Sequence, residues 1–111
     1  MPVATRMRIE ALVEDLGGRS EVARAIGVNR AQVTRWLDAR QEPDAANVRR
    51  VEALDVVMAR LLRVYDRETA LRWLRGVNAH LHDRQPIVAL AQGDLAGVLR
   101  AIDAEESGAF A

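Results

Sequence analysis

Apolar residues recur at intervals of three and four along nearly the whole chain, in runs that end at glycine, proline or a capping side chain, with no strand-like alternation. That spacing builds one-sided helices and excludes a sheet protein. The first run, Thr5 to Leu16, carries Met7, Ile9, Ala11, Leu12, Val13 and Leu16 on an apolar side and stops at Gly17-Gly18. Ser20 is placed to cap a second, short helix bearing Val22, Ala23 and Ile26, and Gly27 suits the left-handed turn that ends it. Asn29 caps a third helix, Arg30 to Ala39, with Val33, Trp36 and Leu37 inward. After the break Arg40-Gln41-Glu42-Pro43, Asp44 caps a long helix with Val48, Val51, Leu54, Met58, Leu61 and Leu62, expected to reach Tyr65.

The second half restarts at Asp66, with Ala70, Leu71, Trp73 and Leu74 apolar and Gly76 as the stop. Pro86 fits the first turn of a short helix through Leu90. Gly93 ends that helix and Asp94 caps the last one, Leu95 to Glu106, whose apolar face is Leu95, Val98, Leu99 and Ile102, leaving Ser107 to Ala111 as a tail. The expected boundaries are 1–55 for a first region and 56–111 for a second, sharing the long central helix. The three helices after residue 66 are too small for a core of their own and are expected to pack on that helix.

Composition agrees with an all-α protein. Half of the 111 residues are hydrophobic and 29% are charged, as in a folded globular chain, while aromatics are only 4%. Cysteine is absent, which removes disulfides, thiolate metal sites and cysteine nucleophiles together. The start lacks the apolar core of a signal peptide, and no stretch approaches the roughly 18 consecutive apolar residues of a membrane span. A cytoplasmic protein with no membrane association is therefore expected. Arginine supplies all 16 basic charges and 16 acids cancel them, so a globally basic nucleic-acid binder is excluded and a local basic face is not.

Ala23, Gly27 and Val33 stand at the spacing of a helix-turn-helix: a small residue where two helices touch, a glycine in the turn and an aliphatic anchor in the second helix. Between those anchors the second helix shows Asn29, Arg30, Gln32, Thr34 and Arg35, residue types that read bases or hold phosphates. Arg30 and Gln32 lie nearest its N-terminus and are the first candidates for base edges. Arg35 can reach a base or a phosphate, and Arg19 and Ser20 sit where the first helix would cross the DNA backbone. Residues 19 to 50 carry seven arginines against four acids, whereas the last 18 residues carry one arginine against four. The plainer alternative is an αα-hairpin whose polar residues only solvate its surface.

The stretch from Leu16 to Pro43, including Trp36-Leu37, resembles an Xre/Cro-type DNA-binding domain. Such domains usually bind pseudo-palindromes as dimers. In the second half the ordered set Trp73-Leu74, Asn78, Leu81, Pro86, Leu90, Gly93, Val98, Ile102 and Gly108-Ala109-Phe110-Ala111 resembles the C-terminal domain of the MbcA/ParS/Xre antitoxin family. One departure is Gly76-Val77, where the family often has a small residue and proline. The resemblance implies an antitoxin of a type II toxin-antitoxin system, paired with a RES-domain toxin that destroys NAD. It also implies that the antitoxin covers the toxin's active-site entrance and represses the shared operon at operator DNA. Asn78, Asp103, Glu105, Glu106, Gly108, Phe110 and Ala111 are the toxin-binding candidates on that basis. The acids oppose the dipole of their helix end, which invites an arginine-rich partner. Phe110 suits insertion into a cleft, or alternatively folds back on its own core.

Neither paired carboxylates, a nucleophile with its base, nor a glycine-rich phosphate loop is present, so an enzyme is not expected. His80 and His82 are two apart, diverge on a helix and form no ligand set, so neither a metal nor a cofactor is expected. Trp36 and Trp73 read as core anchors, and Asn78 equally well as the cap of a turn. Apolar surface on the long helix points to a homodimer or a larger toxin-antitoxin hetero-oligomer. The alternative function is a stand-alone helix-turn-helix repressor without a toxin partner.

Overall fold

The computed structural model describes residues 3–108, and in them the helical periodicity becomes seven α-helices. These are α1 (Val3–Leu16), α2 (Arg19–Ile26), α3 (Arg30–Leu37), α4 (Ala45–Leu61), α5 (Arg67–Arg75), α6 (Pro86–Ala91) and α7 (Leu95–Gly108), with a one-turn 3-10 helix at Ala79–Leu81. Among the described residues there is no strand, only one antiparallel bridge between Asn78 and Arg84. The chain divides into two compact units, Met1–Asp55 and Val56–Ala111, with the division inside α4.

In the first unit α1 packs on α2 and α3, and α2 packs on α3. Thr5, Ile9, Leu12 and Leu16 form the inward row of α1, spaced by four, three and four. Met7 lies two positions from both Thr5 and Ile9, which turns it away from that row, and it is 60% exposed rather than part of the apolar side. Ala11 is also exposed, and Val13 is half-buried. Val22, Ala23, Ile26, Val33 and Trp36 are buried between α2 and α3, while Leu37 is only half-buried. The indole Nε1 of Trp36 is buried without a hydrogen-bond partner among the described residues.

Short-range caps set most helix ends. Asn29, Asp44 and Asp66 each accept the backbone N–H three residues on, at 2.9, 2.8 and 2.8 Å. Ser20 does not cap α2. Gly18 stands at the cap with a φ of 151°, a backbone that L side chains rarely adopt, and its carbonyl accepts the Val22 N–H at 3.3 Å, so the helix starts at Arg19 and Ser20 lies inside its first turn. α3 ends at Leu37, short of Ala39, which adopts a left-handed φ of 57°.

α4 ends at Leu61 rather than Tyr65. Its hydrogen bonds tighten to the i→i+3 pairs Arg63 N to Arg60 O and Val64 N to Leu61 O, and the extended Asp66 cap then redirects the chain. Leu62, beyond the last full turn, is 39% exposed.

In the second unit α5 packs on α6, α6 on α7, and α7 on the 3-10 turn. Leu61, Leu74, Leu81, Leu90, Val98 and Ile102 are in its core, joined by Gly97 and Ala101, which the apolar spacing did not single out. Leu71, Trp73, Leu95 and Leu99 are half-buried, as is Val48 in the first unit. Pro86 stands at the start of α6. Gly93 turns the chain at φ 86°, a backbone that an L side chain resists, and delivers Asp94 to cap α7 through the Gly97 N–H at 3.0 Å. α7 runs on through Ser107 and Gly108, the first residues of the expected tail, while Phe110 and Ala111 lie outside the described residues.

Candidate functional site

The turn between α2 and α3 follows from one glycine and one asparagine. Gly27 holds a left-handed φ of 86° and sends its N–H back to Ala23 O at 2.8 Å. Two residues later the Asn29 amide oxygen receives the Gln32 N–H. Ala23 is 3% exposed and Val33 is fully buried, so the small contact residue and the aliphatic anchor both face inward. α2, the turn and α3 thus have helix-turn-helix geometry, with the polar face of α3 directed outward.

On that face the predicted residues differ in how far the protein engages them. Ser20, Asn29 and Arg30 are exposed, and Arg30 makes no ion pair or side-chain hydrogen bond among the described residues. Arg19 donates from Nη1 to the Thr34 hydroxyl at 3.2 Å, tying the start of α2 to the middle of α3. Arg35 donates from Nη2 to Gln32 Oε1 at 2.7 Å and from Nε to Gln41 Oε1 at 3.2 Å. Arg30, Ala31, Thr34, Arg35 and Arg40 line an open concavity of about 430 Å³. Three guanidinium groups and no acid line it, an environment suited to an anion.

Arg40 and Gln41 were not singled out from the sequence. They reach this face because the chain folds back after Ala39, with the N–H groups of Arg40 and Gln41 both directed at Arg35 O, at 2.9 and 3.4 Å. The signal available was the break at residues 40–43, which marks a turn without giving its direction.

In the second unit Asn78 is only 9% exposed, and its amide oxygen accepts the His80 N–H at 2.9 Å. Its backbone N–H donates to Arg84 O at 3.1 Å, and its carbonyl accepts from Leu81 and Asp83. Asn78 therefore organises the turn from within. Arg84 completes it, donating from Nε to Leu81 O at 2.9 Å, from Nη1 to Gln92 at 3.0 Å and from Nη2 to Asp94 at 2.7 Å. The Arg84 side-chain bond, reinforced by the Gly97 N–H, holds the Asp94 carboxyl below the usual carboxylate range. Arg84 and Gln92 were likewise not singled out from the sequence.

The acids near the end of α7 do not share one environment. Arg60 donates from Nη2 to Asp103 at 2.7 Å and to Glu106 at 3.2 Å, and these bonds raise the guanidinium's own pKa. Glu105 is exposed and makes no ion pair among the described residues. Gly108 is exposed at the end of the helix with open space around it. Phe110 and Ala111 lie outside the described residues. No group of three metal-ligating side chains occurs among the described residues, and no helix there is long and apolar enough to cross a membrane.

These features define an all-α fold in which a helix-turn-helix unit precedes a small helical unit. The sequence matches no family model and no curated protein. Among solved structures, a chain in the crystal structure of the M. tuberculosis MbcT–MbcA toxin–antitoxin complex is similar to it at 28% identity, covering 100% of both chains with a TM-score of 0.79. This likeness shows the resemblance to MbcA-type antitoxins and the all-α class, and it supports an antitoxin role.

Proposed function

We propose that this chain is the antitoxin of a type II toxin-antitoxin system, a cytoplasmic, non-enzymatic protein that neutralises a RES-domain toxin and represses its own operon. The observation that carries the reading is the likeness to the toxin–antitoxin complex over the full length of both chains. In this reading the toxin degrades NAD and the antitoxin covers its active-site entrance.

The second unit makes the toxin contact. Glu105 offers an exposed carboxylate, and Gly108, Phe110 and Ala111 follow it in the sequence. An aromatic side chain inserted into a preformed pocket contributes about 1.5–3 kcal/mol through burial. Acids around it favour a basic cleft by steering the encounter. Asn78 acts in this unit by holding the turn between α5 and α6.

The first unit makes the DNA contact. α3 enters the major groove with Arg30, Gln32 and Arg35, while Arg19, Ser20, Asn29 and Thr34 lie at the flanking backbone. Operator recognition of this kind uses two copies on an inverted repeat. The exposed Val56, Leu62 and Val64 support assembly beyond a monomer.

Co-expression with the neighbouring RES-domain reading frame tests the proposal. The two proteins are expected to co-elute and the cells to keep growing, whereas growth arrest with no co-elution contradicts the antitoxin reading. If the same purified chain then still shifts its promoter DNA, the stand-alone repressor is the correct function.

A further inference from the structure

Five N–H groups project from the Arg35 guanidinium in one plane, and the protein itself uses two of them. The N–H of Nε and one N–H of Nη2 form the side edge of the group, directed at Gln41 Oε1 at 3.2 Å and Gln32 Oε1 at 2.7 Å. Arginine only donates, so both amides must turn their oxygens towards it, and their orientation is fixed by chemistry. Of the remaining three donors, one on Nη1 and one on Nη2 form the end edge and the second on Nη1 points back along the side chain, and none has a partner among the described residues. That edge is a pair of parallel N–H bonds on a side chain lining the open concavity of α3.

We propose that Arg35 reads a guanine through this end edge, with Gln32 and Gln41 as the positioning residues that hold it. The inference rests on the reading of α3 as a DNA-binding helix and assigns its specificity. Guanine presents O6 and N7 side by side in the major groove, two acceptors that match two parallel donors. Adenine would instead need one acceptor and one donor from the same side chain, the pairing a free glutamine supplies. Gln32 has its oxygen committed to Arg35, so it serves the guanidinium rather than an adenine. Two fixed hydrogen bonds also reduce the rotamer entropy that a long arginine loses on binding. Arg30 and Arg40 line the same concavity, and Arg40 supplies sequence-independent attraction for the backbone.

The test is selection of duplexes from a pool with a randomised central segment by the full-length protein, repeated with Arg35→Ala, Gln32→Ala and Gln32→Glu. Wild type is expected to select a motif containing a guanine position that Arg35→Ala loses while the rest of the motif persists. Gln32→Ala should weaken preference at that same position, and Gln32→Glu, whose carboxylate accepts the same N–H, should retain it. Placing a guanine analogue without N7 there should weaken wild-type binding about ten- to a hundredfold and leave Arg35→Ala unaffected. This arm needs no variant to report on the wild-type contact. A motif that survives Arg35→Ala intact, or an adenine position lost on Gln32→Ala, overturns the assignment and leaves DNA binding standing. Arg35→Ala weakening all duplexes equally marks a phosphate contact and overturns it too. Failure of the wild type to select any motif overturns both this assignment and the DNA-binding reading.

Discussion

Arg60 in α4 and Asp103 in α7 are joined by a 2.7 Å ion pair across 43 residues of sequence, with Glu106 accepting from the same nitrogen at 3.2 Å. Two of the acids that oppose the dipole of α7 therefore have a cation within their own chain. Arg60→Ala leaves two carboxylates near a helix C-terminus without it. A lower Tm is expected in low salt, with the difference from wild type shrinking as salt screens the pair, by calorimetry at two ionic strengths.

The three acids should separate in a toxin-binding assay. Asp103→Ala disturbs the Arg60 pair and is expected to change both Tm and toxin affinity. Glu105→Ala touches no ion pair among the described residues and should weaken toxin binding with Tm unchanged. Titration calorimetry beside thermal melts distinguishes them, and equal toxin affinity for Glu105→Ala and wild type removes that residue from the interface.

The Asp94 pKa is depressed chiefly by the Arg84 bond and then by the Gly97 N–H, and that of Asp66 chiefly by the Thr69 N–H. A carboxyl with a lower pKa folded than unfolded stabilises the protein above its unfolded value, and that stability is lost as pH falls through the folded value. Unfolding is thus expected to ease below about pH 4, where free aspartate protonates. Asp94→Ala removes the α7 cap at a cost of about 1 kcal/mol at neutral pH and should flatten the acid limb of a plot of Tm against pH.

Gly27→Ala forces a β-carbon onto a φ of 86°. It is expected to cost about 1–2 kcal/mol and to weaken operator binding, because the angle between α2 and α3 depends on that turn. Urea melts and a gel shift on one preparation check both effects.

The parts of this fold legible in the sequence are those set within a few residues. Asn29, Asp44, Asp66 and Asp94 cap helices because side chain and backbone meet three positions apart, and Gly27 ends α2 where a left-handed residue was needed. Ser20 failed as a cap because Gly17-Gly18 left two entry points into α2, which local spacing does not rank. Met7 failed as a core residue because an apolar side of six residues is broader than the row that α1 buries. The polar face of α3 was legible as residue types, but the Arg35 contact with Gln41 depends on a positive φ at Ala39 that nothing in that residue requires. Arg60 and Arg84 were invisible for a similar reason, since each finds its acids only after helices distant in sequence or a whole loop have packed.

Neutralisation itself is measured most directly by following NAD consumption by the RES-domain toxin proposed as the partner, purified, while the chain is titrated in. The expected result is a fall in NAD consumption that ends at a fixed molar ratio, the signature of a stoichiometric complex. An unchanged rate of NAD loss with the chain in large excess would contradict the antitoxin function outright.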